Sequence, residues 1–300
     1  MRPVILNTES VWSSPARAPL EVAKTLQKTL LKLQGKFLAE DGSGVDYQGL
    51  LKSSEFQEYK QMTGELREVD LTTLSEIPER RCFFINLYNA LTVHAICASF
   101  EERPIKSVLD IKDFWKTMSY QIGAFVFSLD AMEHGILRGN RPHPSTRKSF
   151  FQEDDPRLSL GVPLDCRVHF ALVCGAVSCP SIRVFQQTNL EKGLQGAATS
   201  FCDGEVEVDT SCVKMSKIFD WYSKDFGSTQ IEVLETIVSF MSPGQQRDQL
   251  NQLVQDGRGK RSHLTQGWRW FLRPLFGLQT MLPGPVYVRF KSYDWSLNHS

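Results

Sequence analysis

The chain has 300 residues, 41% of them hydrophobic and 23% charged, which is a globular balance with enough length to bury a full core without disulfide staples. Its 34 basic and 34 acidic residues cancel, so no overall field draws it to nucleic acid and no sequence-specific nucleic-acid binding is expected. Seven cysteines, an odd number with no Cys-x-x-Cys, argue against a disulfide framework and for a reducing, intracellular and cytoplasmic setting. The N-terminal residues lack a continuous apolar core, so no secretory signal is expected. Nor is any run read as reaching the roughly eighteen apolar residues of a membrane span.

Residues 1–18 have no period and read as a flexible lead-in. Val22, Leu26, Leu30, Leu33 and Phe37 then recur at helical spacing, and Asp41-Gly42-Ser43-Gly44 ends that helix. A second helical stretch is expected over Tyr47–Leu66. Residues 77–98 are apolar nearly all round and free of Gly after Pro78, which predicts a central helix packed on several sides. Asn86 and Asn89 share one face of it, and their amides need buried partners. Alternation around Gly123 over 120–129 predicts a β-hairpin, followed by a short helix over 130–138 with Asp130 and Glu133 at capping-box spacing. Residues 139–164 read as a long loop, and Asp165 as the cap of a helix running through His169 and Cys174 to a Gly175 stop.

Leu190–Phe201 reads as a helix, Val206–Val208 and Cys212–Met215 as paired strands, and Ser216 as the cap of Ile218–Tyr222. Two more helices follow over Ile231–Met241 and Pro243–Val254, the latter with Ser242 as N-cap. Val286–Phe290 reads as a closing strand. The expected fold is a single α+β domain over 19–300: a central apolar helix packed with other helices against a small, mostly antiparallel sheet.

The segments Phe83-Phe84-Ile85-Asn86-Leu87-Tyr88-Asn89-Ala90-Leu91, Glu133-His134-Gly135-Ile136-Leu137-Arg138, Arg167-Val168-His169-Phe170-Ala171-Leu172 through Cys179-Pro180, and Tyr293-Asp294-Trp295-Ser296-Leu297-Asn298 stand in register. Together they resemble the family catalogued as domain of unknown function 547, over about residues 75–298. The resemblance implies no established activity. The chain departs from the family pattern at Cys166, where Pro is common, at Val173, where Asn is common, and in residues 257–284, a basic and aromatic insertion.

Cys179 is the candidate nucleophile, because Pro180 is favoured at a first helical position and a helix N-terminus stabilises a thiolate. His134 or His169 could serve as its base, with Asn86 or Asn89 as polar support. Arg138, one helical turn beyond His134, would favour a neutral imidazole; Glu133 reads as a capping carboxylate, and Arg167 as a group that positions a carboxylate or a carbonyl. These residues also fit plain packing roles, with Cys179 a small apolar side chain and the histidines core hydrogen-bonders. Cys174 and Cys179 are spaced acceptably for zinc, but no second pair of ligands follows, so no metal or cofactor is expected. The function read first is a cysteine-dependent hydrolase or transferase acting on a small substrate. The alternative is a non-catalytic protein-interaction module in a signalling or scaffold setting. Trp268, Arg269, Trp270 and Arg273 of the insertion suit contact with an anionic membrane or a protein partner.

Overall fold

In the computed structural model, helix α1 (Pro19–Lys36) starts on a proline, whose missing N–H is one that a first turn leaves unpaired anyway. It buries Val22, Leu26, Leu30 and Leu33. The structure describes residues 2–41, 44–210, 212–260 and 286–298. Ahead of α1, the stretch expected to be a flexible lead-in forms strand β1 (Val4–Ile5) and then anchors itself through Asn7. The fully buried Asn7 amide donates to the carbonyls of Thr63 (3.1 Å) and Gln121 (2.9 Å) and accepts the Gln121 N–H (2.9 Å). Arg17 completes the attachment by pairing with the buried Glu65 carboxylate at 2.6 Å.

The helix expected over 47–66 is divided into α2 (Tyr47–Lys52) and α3 (Ser54–Met62), then tightens into a 3-10 turn over Thr63–Glu68. Ser53 makes the division: its hydroxyl accepts the Phe56 N–H at 3.1 Å and caps α3. The central helix α4 (Ile77–Glu102) forms as expected, with the Glu79 carboxylate accepting the Glu76 N–H at its start (3.1 Å). Every residue from 81 to 97 is buried. Contrary to expectation, α4 is long and apolar enough to cross a membrane by length and composition alone; almost all of that window is packed inside the protein, as befits a core helix. Short helix α5 (Phe114–Thr117) leads into the expected hairpin of β2 (Met118–Ile122) and β3 (Phe125–Ser128), with Gly123 at φ +53° in the turn.

Contacts gather the chain into two compact units, residues Met1–Leu194 with Asp294–Ser300, and Gln195–Tyr293. Helix α6 (Leu190–Glu205) runs through the division, so no Gly- or Pro-rich linker marks it. The second unit holds β4 (Glu207–Val208), β5 (Cys212–Met215), the short helices α7 (Ile218–Trp221) and α8 (Ser223–Phe226), then α9 (Gln230–Phe240), α10 (Gln245–Lys260) and β6 (Tyr287–Phe290). Its core includes Val213, Leu234, Ile237, Leu250 and Val288. Ser242 does not cap α10; its N–H and hydroxyl bond the Asp203 carboxylate at 2.9 and 2.6 Å. Residues 261–285, including Trp268, Arg269, Trp270 and Arg273, lie outside the described residues.

The α+β class holds, but the expectation of a mostly antiparallel sheet does not. Each unit has a three-stranded mixed sheet: β1 pairs parallel to β2 and β2 antiparallel to β3, while β4 is antiparallel to β5 and β5 parallel to β6. Local hairpins supply the antiparallel pairs, which short-range patterning reveals. The third strand of each sheet arrives from a distant segment and runs parallel, which no local pattern signals. The anchoring role of Asn7 gives a direct test. Asn7→Ala should destabilise the first unit by about 1–3 kcal/mol in urea unfolding, because it orphans the Gln121 and Thr63 backbone groups; a change below about 0.5 kcal/mol would show the anchor to be incidental.

Candidate functional site

A buried amide on an all-apolar helix must find partners, and α4 solves this by holding a loop. Asn86 donates to the Phe185 carbonyl (2.7 Å) and accepts the Phe185 N–H (2.9 Å). Asn89 does the same for neighbouring groups, donating to the Ala171 carbonyl and accepting the Val173 N–H, both at 2.9 Å. Both asparagines therefore clamp the backbone of the segment that carries the motif cysteines.

That segment is not helical through His169 and Cys174 as expected. Asp165 does act as a cap, accepting the Arg167 N–H at 3.1 Å, but only for a 3-10 turn over Cys166–Phe170. Gly175, at φ +82°, reverses the chain against Ile96; a side-chain carbon there would lie 2.3 Å from Ile96 Cδ1. No helix begins at Pro180 either, so a helix N-terminus is not what surrounds Cys179. Instead a turn closed by the Cys179 N–H on the Ala176 carbonyl (3.0 Å) folds the thiol back, and Cys179 Sγ accepts the Cys174 N–H at 3.1 Å. Both cysteines are half-buried.

The C-terminal motif braces this turn. Ser296 O accepts the Val177 N–H (2.8 Å), Ser178 Oγ accepts the Asp294 N–H (2.9 Å), and Ala176 bridges to Leu297. Asn298 then ties the strap to α2, its Oδ1 accepting the Tyr47 hydroxyl at 2.8 Å. Tyr47 is close enough to Cys179 and Cys97 for both to push its hydroxyl pKa up, after burial, which is the main cause.

The other half of the candidate site lies on the segment expected as a short helix. It is a single π-helical stretch, Ala131–Leu137, and Asp130 does not cap it; the Ala131 N–H goes to Ser128 Oγ instead (3.1 Å). The wider turn buries Asp130, Glu133, His134 and Arg138 together. Tyr88 donates its hydroxyl to Glu133 Oε2 at 3.2 Å, and Arg138 Nη1 donates to His134 Nδ1 at 2.9 Å. His134 Nε2 stands 3.8 Å from Asp130 Oδ1, and the half-buried His143 meets the His134 ring edge-on with centroids 4.3 Å apart. Sequence reasoning named Glu133, His134 and Arg138 but missed Asp130 as a site residue, His143 and Tyr88. Tyr88 lies on α4 and His143 in a loop, and nothing in the sequence around either shows that it meets the π-stretch.

Burial lowers the His134 pKa to about 4, helped by the nearby His143, Arg138 and His169 and opposed by Glu133, so the ring is neutral at pH 7. Burial raises the Asp130 pKa to about 7, aided by Glu133 and opposed by Lys116. A carboxyl that titrates near neutrality beside a neutral imidazole is equipped to exchange protons. Arg167, by contrast, is an ion-pair residue: it holds Asp165 at 2.6 Å and Glu191 at 2.7 Å. His169 is buried in the 3-10 turn.

Asp130, His134 and His143 also bring ligand atoms within 4.8 Å of one another, a donor set suited to a divalent transition ion. Hydrogen bonds already use both rings, however. Arg138 donates to His134 Nδ1, and the Ser145 N–H donates to His143 Nδ1 at 3.0 Å. Each neutral ring then carries its proton on Nε2, so an ion would have to displace these donors.

The family model described as "protein of unknown function, DUF547" matches residues 71–202, which include α4, the π-stretch and the cysteine turn. Comparisons with curated proteins and with solved structures gave no match.

The raised Asp130 pKa has a consequence for stability. A carboxyl whose pKa is higher in the fold than the ordinary 3.8 contributes stability at low pH and loses it as pH climbs to about 7. Asp130→Asn, which stays neutral, should therefore be more stable than the parent by upwards of ~1 kcal/mol at pH 8, with the advantage vanishing near pH 4. Urea unfolding at the two pH values checks this. An identical difference at both would mean that Asp130 titrates in its ordinary range.

Proposed function

With residues 71–202 forming a DUF547-type domain, we propose that it is a cysteine-dependent hydrolase or transferase in which Cys179 is the nucleophile and the Asp130–His134 pair handles the proton. The observation that carries this reading is the use of consecutive residues on α4. The Tyr88 hydroxyl holds the π-stretch through Glu133, and the Asn89 amide holds the backbone leading to Cys174. Two consecutive residues of one rigid helix thus hold the two segments that carry the imidazole and the thiol. The Cys174 N–H on Cys179 Sγ favours the thiolate, as a helix N-terminus would have done.

In this mechanism the neutral His134 takes the thiol proton while Cys179 sulfur bonds to an acyl carbon. Taking that proton on Nδ1 requires Arg138 to release the atom it now bonds, and the freed guanidinium N–H is a suitable donor to the oxyanion that develops. The proton then passes to the leaving group, and water or an acceptor nucleophile frees the enzyme. Asp130, 3.8 Å from Nε2, steadies the imidazolium once ionised.

Iodoacetamide labelling followed by peptide mass spectrometry at pH 7 tests the reading. Cys179 should react at least ~10-fold faster than the half-buried Cys212, the effect of lowering a thiol pKa by about one unit. His134→Gln should slow Cys179 several-fold without moving the urea midpoint of the second unit. Equal rates at Cys179 and Cys212 would sink the catalytic reading and leave the non-catalytic interaction module in its place.

A further inference from the structure

The turn that presents Cys179 also folds its sulfur onto the backbone of a second cysteine, Cys174. Gly175 at φ +82° reverses the chain once, and the turn from Ala176 to Cys179 reverses it again. The result is that Cys179 Sγ sits 3.1 Å from the backbone nitrogen of Cys174. The Cys174 Cβ is only two bonds from that nitrogen, about 2.5 Å away, so the Cys174 sulfur swings through the space beside Cys179 Sγ as its side chain rotates. A disulfide requires Cα atoms roughly 4.4–6.8 Å apart, and the two successive turns bring Cys179 back onto the backbone of Cys174.

We propose that Cys174 and Cys179 form a reversible intramolecular disulfide, with a hydroperoxide as the oxidant, and that this bond switches the site off. The switch-off rests on the reading of Cys179 as the nucleophile; the disulfide itself rests only on the geometry of the turn. In the first step the Cys179 thiolate attacks a peroxide oxygen. An S–O bond forms, the O–O bond breaks, and the departing oxygen takes up a proton as water or an alcohol; sulfur is oxidised by two electrons and the peroxide reduced by two. In the second step the Cys174 thiolate attacks the sulfenic sulfur. The S–S bond forms, the S–O bond breaks, and hydroxide leaves with the Cys174 proton as water. A dithiol reductant reverses the change by exchange, taking the disulfide's two sulfurs back to thiols.

Several features favour this pair over other cysteines. Cys174 and Cys179 are half-buried and open to a small oxidant, whereas Cys82, Cys97 and Cys202 are buried. The bonds from Ser296 and Asp294 pin the turn from outside, so the disulfide needs side-chain rotation and little backbone movement. Oxidation also withdraws Cys179 Sγ from the Cys174 N–H, which removes the bond that favours the thiolate.

The test is to treat the full-length protein with hydrogen peroxide and map its thiols by peptide mass spectrometry, with dimedone present to trap sulfenic acid. The parent should give a peptide linking Cys174 to Cys179, lost on adding dithiothreitol, with little dimedone adduct. Cys174→Ser should give a dimedone adduct at Cys179 in place of the link. A link that forms in a protein whose Cys179 shows no labelling advantage over Cys212 would uphold the disulfide while removing the nucleophile. A dimedone adduct at Cys179 equally strong in parent and Cys174→Ser overturns the disulfide and leaves the nucleophile standing. If Cys179 oxidises no faster than Cys212 and no link forms, the disulfide is overturned and the nucleophile with it.

Discussion

The amide clamps of Asn86 and Asn89 set the geometry on which the candidate site depends. A helix buried on every side can hold neighbouring chain by packing alone, but packing does not specify register. An amide does, because its donor and acceptor must meet particular backbone groups or cost about 1–3 kcal/mol each. Asn86 fixes Phe185 and Asn89 fixes Ala171 and Val173, so both ends of an otherwise irregular segment are indexed to α4. Between these points the chain's own turns, the C-terminal strap and the Gln27 amide of α1, which donates to the Arg183 carbonyl at 3.4 Å, help direct Cys179. Tyr88 indexes the π-stretch to the same helix.

The buried charges fall into two kinds, and the contrast separates architecture from chemistry. Asp165 is half-buried, which works against ionisation, but the Arg167 fork at 2.6 Å and the nearby Arg81 outweigh that and hold its pKa below the ordinary value. Glu65 is kept ionised in the same way by Arg17. These are satisfied ion pairs that attach segments to one another. Asp130 has a neutral imidazole at 3.8 Å in place of a guanidinium at bonding distance, and its pKa moves the other way. A fold that needed only cohesion would gain more from an apolar side chain at that position. A carboxyl held near neutrality beside a histidine is a cost that function explains better than stability does.

Much of this was legible in the sequence where local pattern governs. The periodicity of α1, the apolar α4, the hairpin around Gly123 and the need of Asn86 and Asn89 for partners all follow from residue order. The wrong expectations share one cause, which is that a competing long-range contact took the group that local reasoning had assigned. Ser242 bonds Asp203 instead of capping α10, and Gly175 turns the chain against Ile96 instead of closing a helix. His143 escaped notice because it lies in a loop, with nothing in its immediate sequence to show that the loop folds onto the His134 ring.

The extent of the matched segment bears on how the site is built. Residues 71–202 contain both thiols, the π-stretch and α4, and so carry every group assigned to the chemistry. They contain the clamps on α4 but not everything that holds those groups in place. Helix α1 packs along α4 and contributes Val22, Leu26 and Leu30 to the same core, β1 completes the sheet that continues into the π-stretch, and the strap over 294–298 braces the cysteine turn. All of these belong to the first unit, although the strap lies some ninety residues beyond the matched segment. Chemistry that depends on a turn aimed to within about 0.5 Å requires such bracing, because an irregular segment clamped only at 171–173 and 185 would leave Cys179 free to wander between its fixed points. The matched segment thus contains the groups proposed to react, while the unit that braces them also takes in β1, α1 and the strap over 294–298.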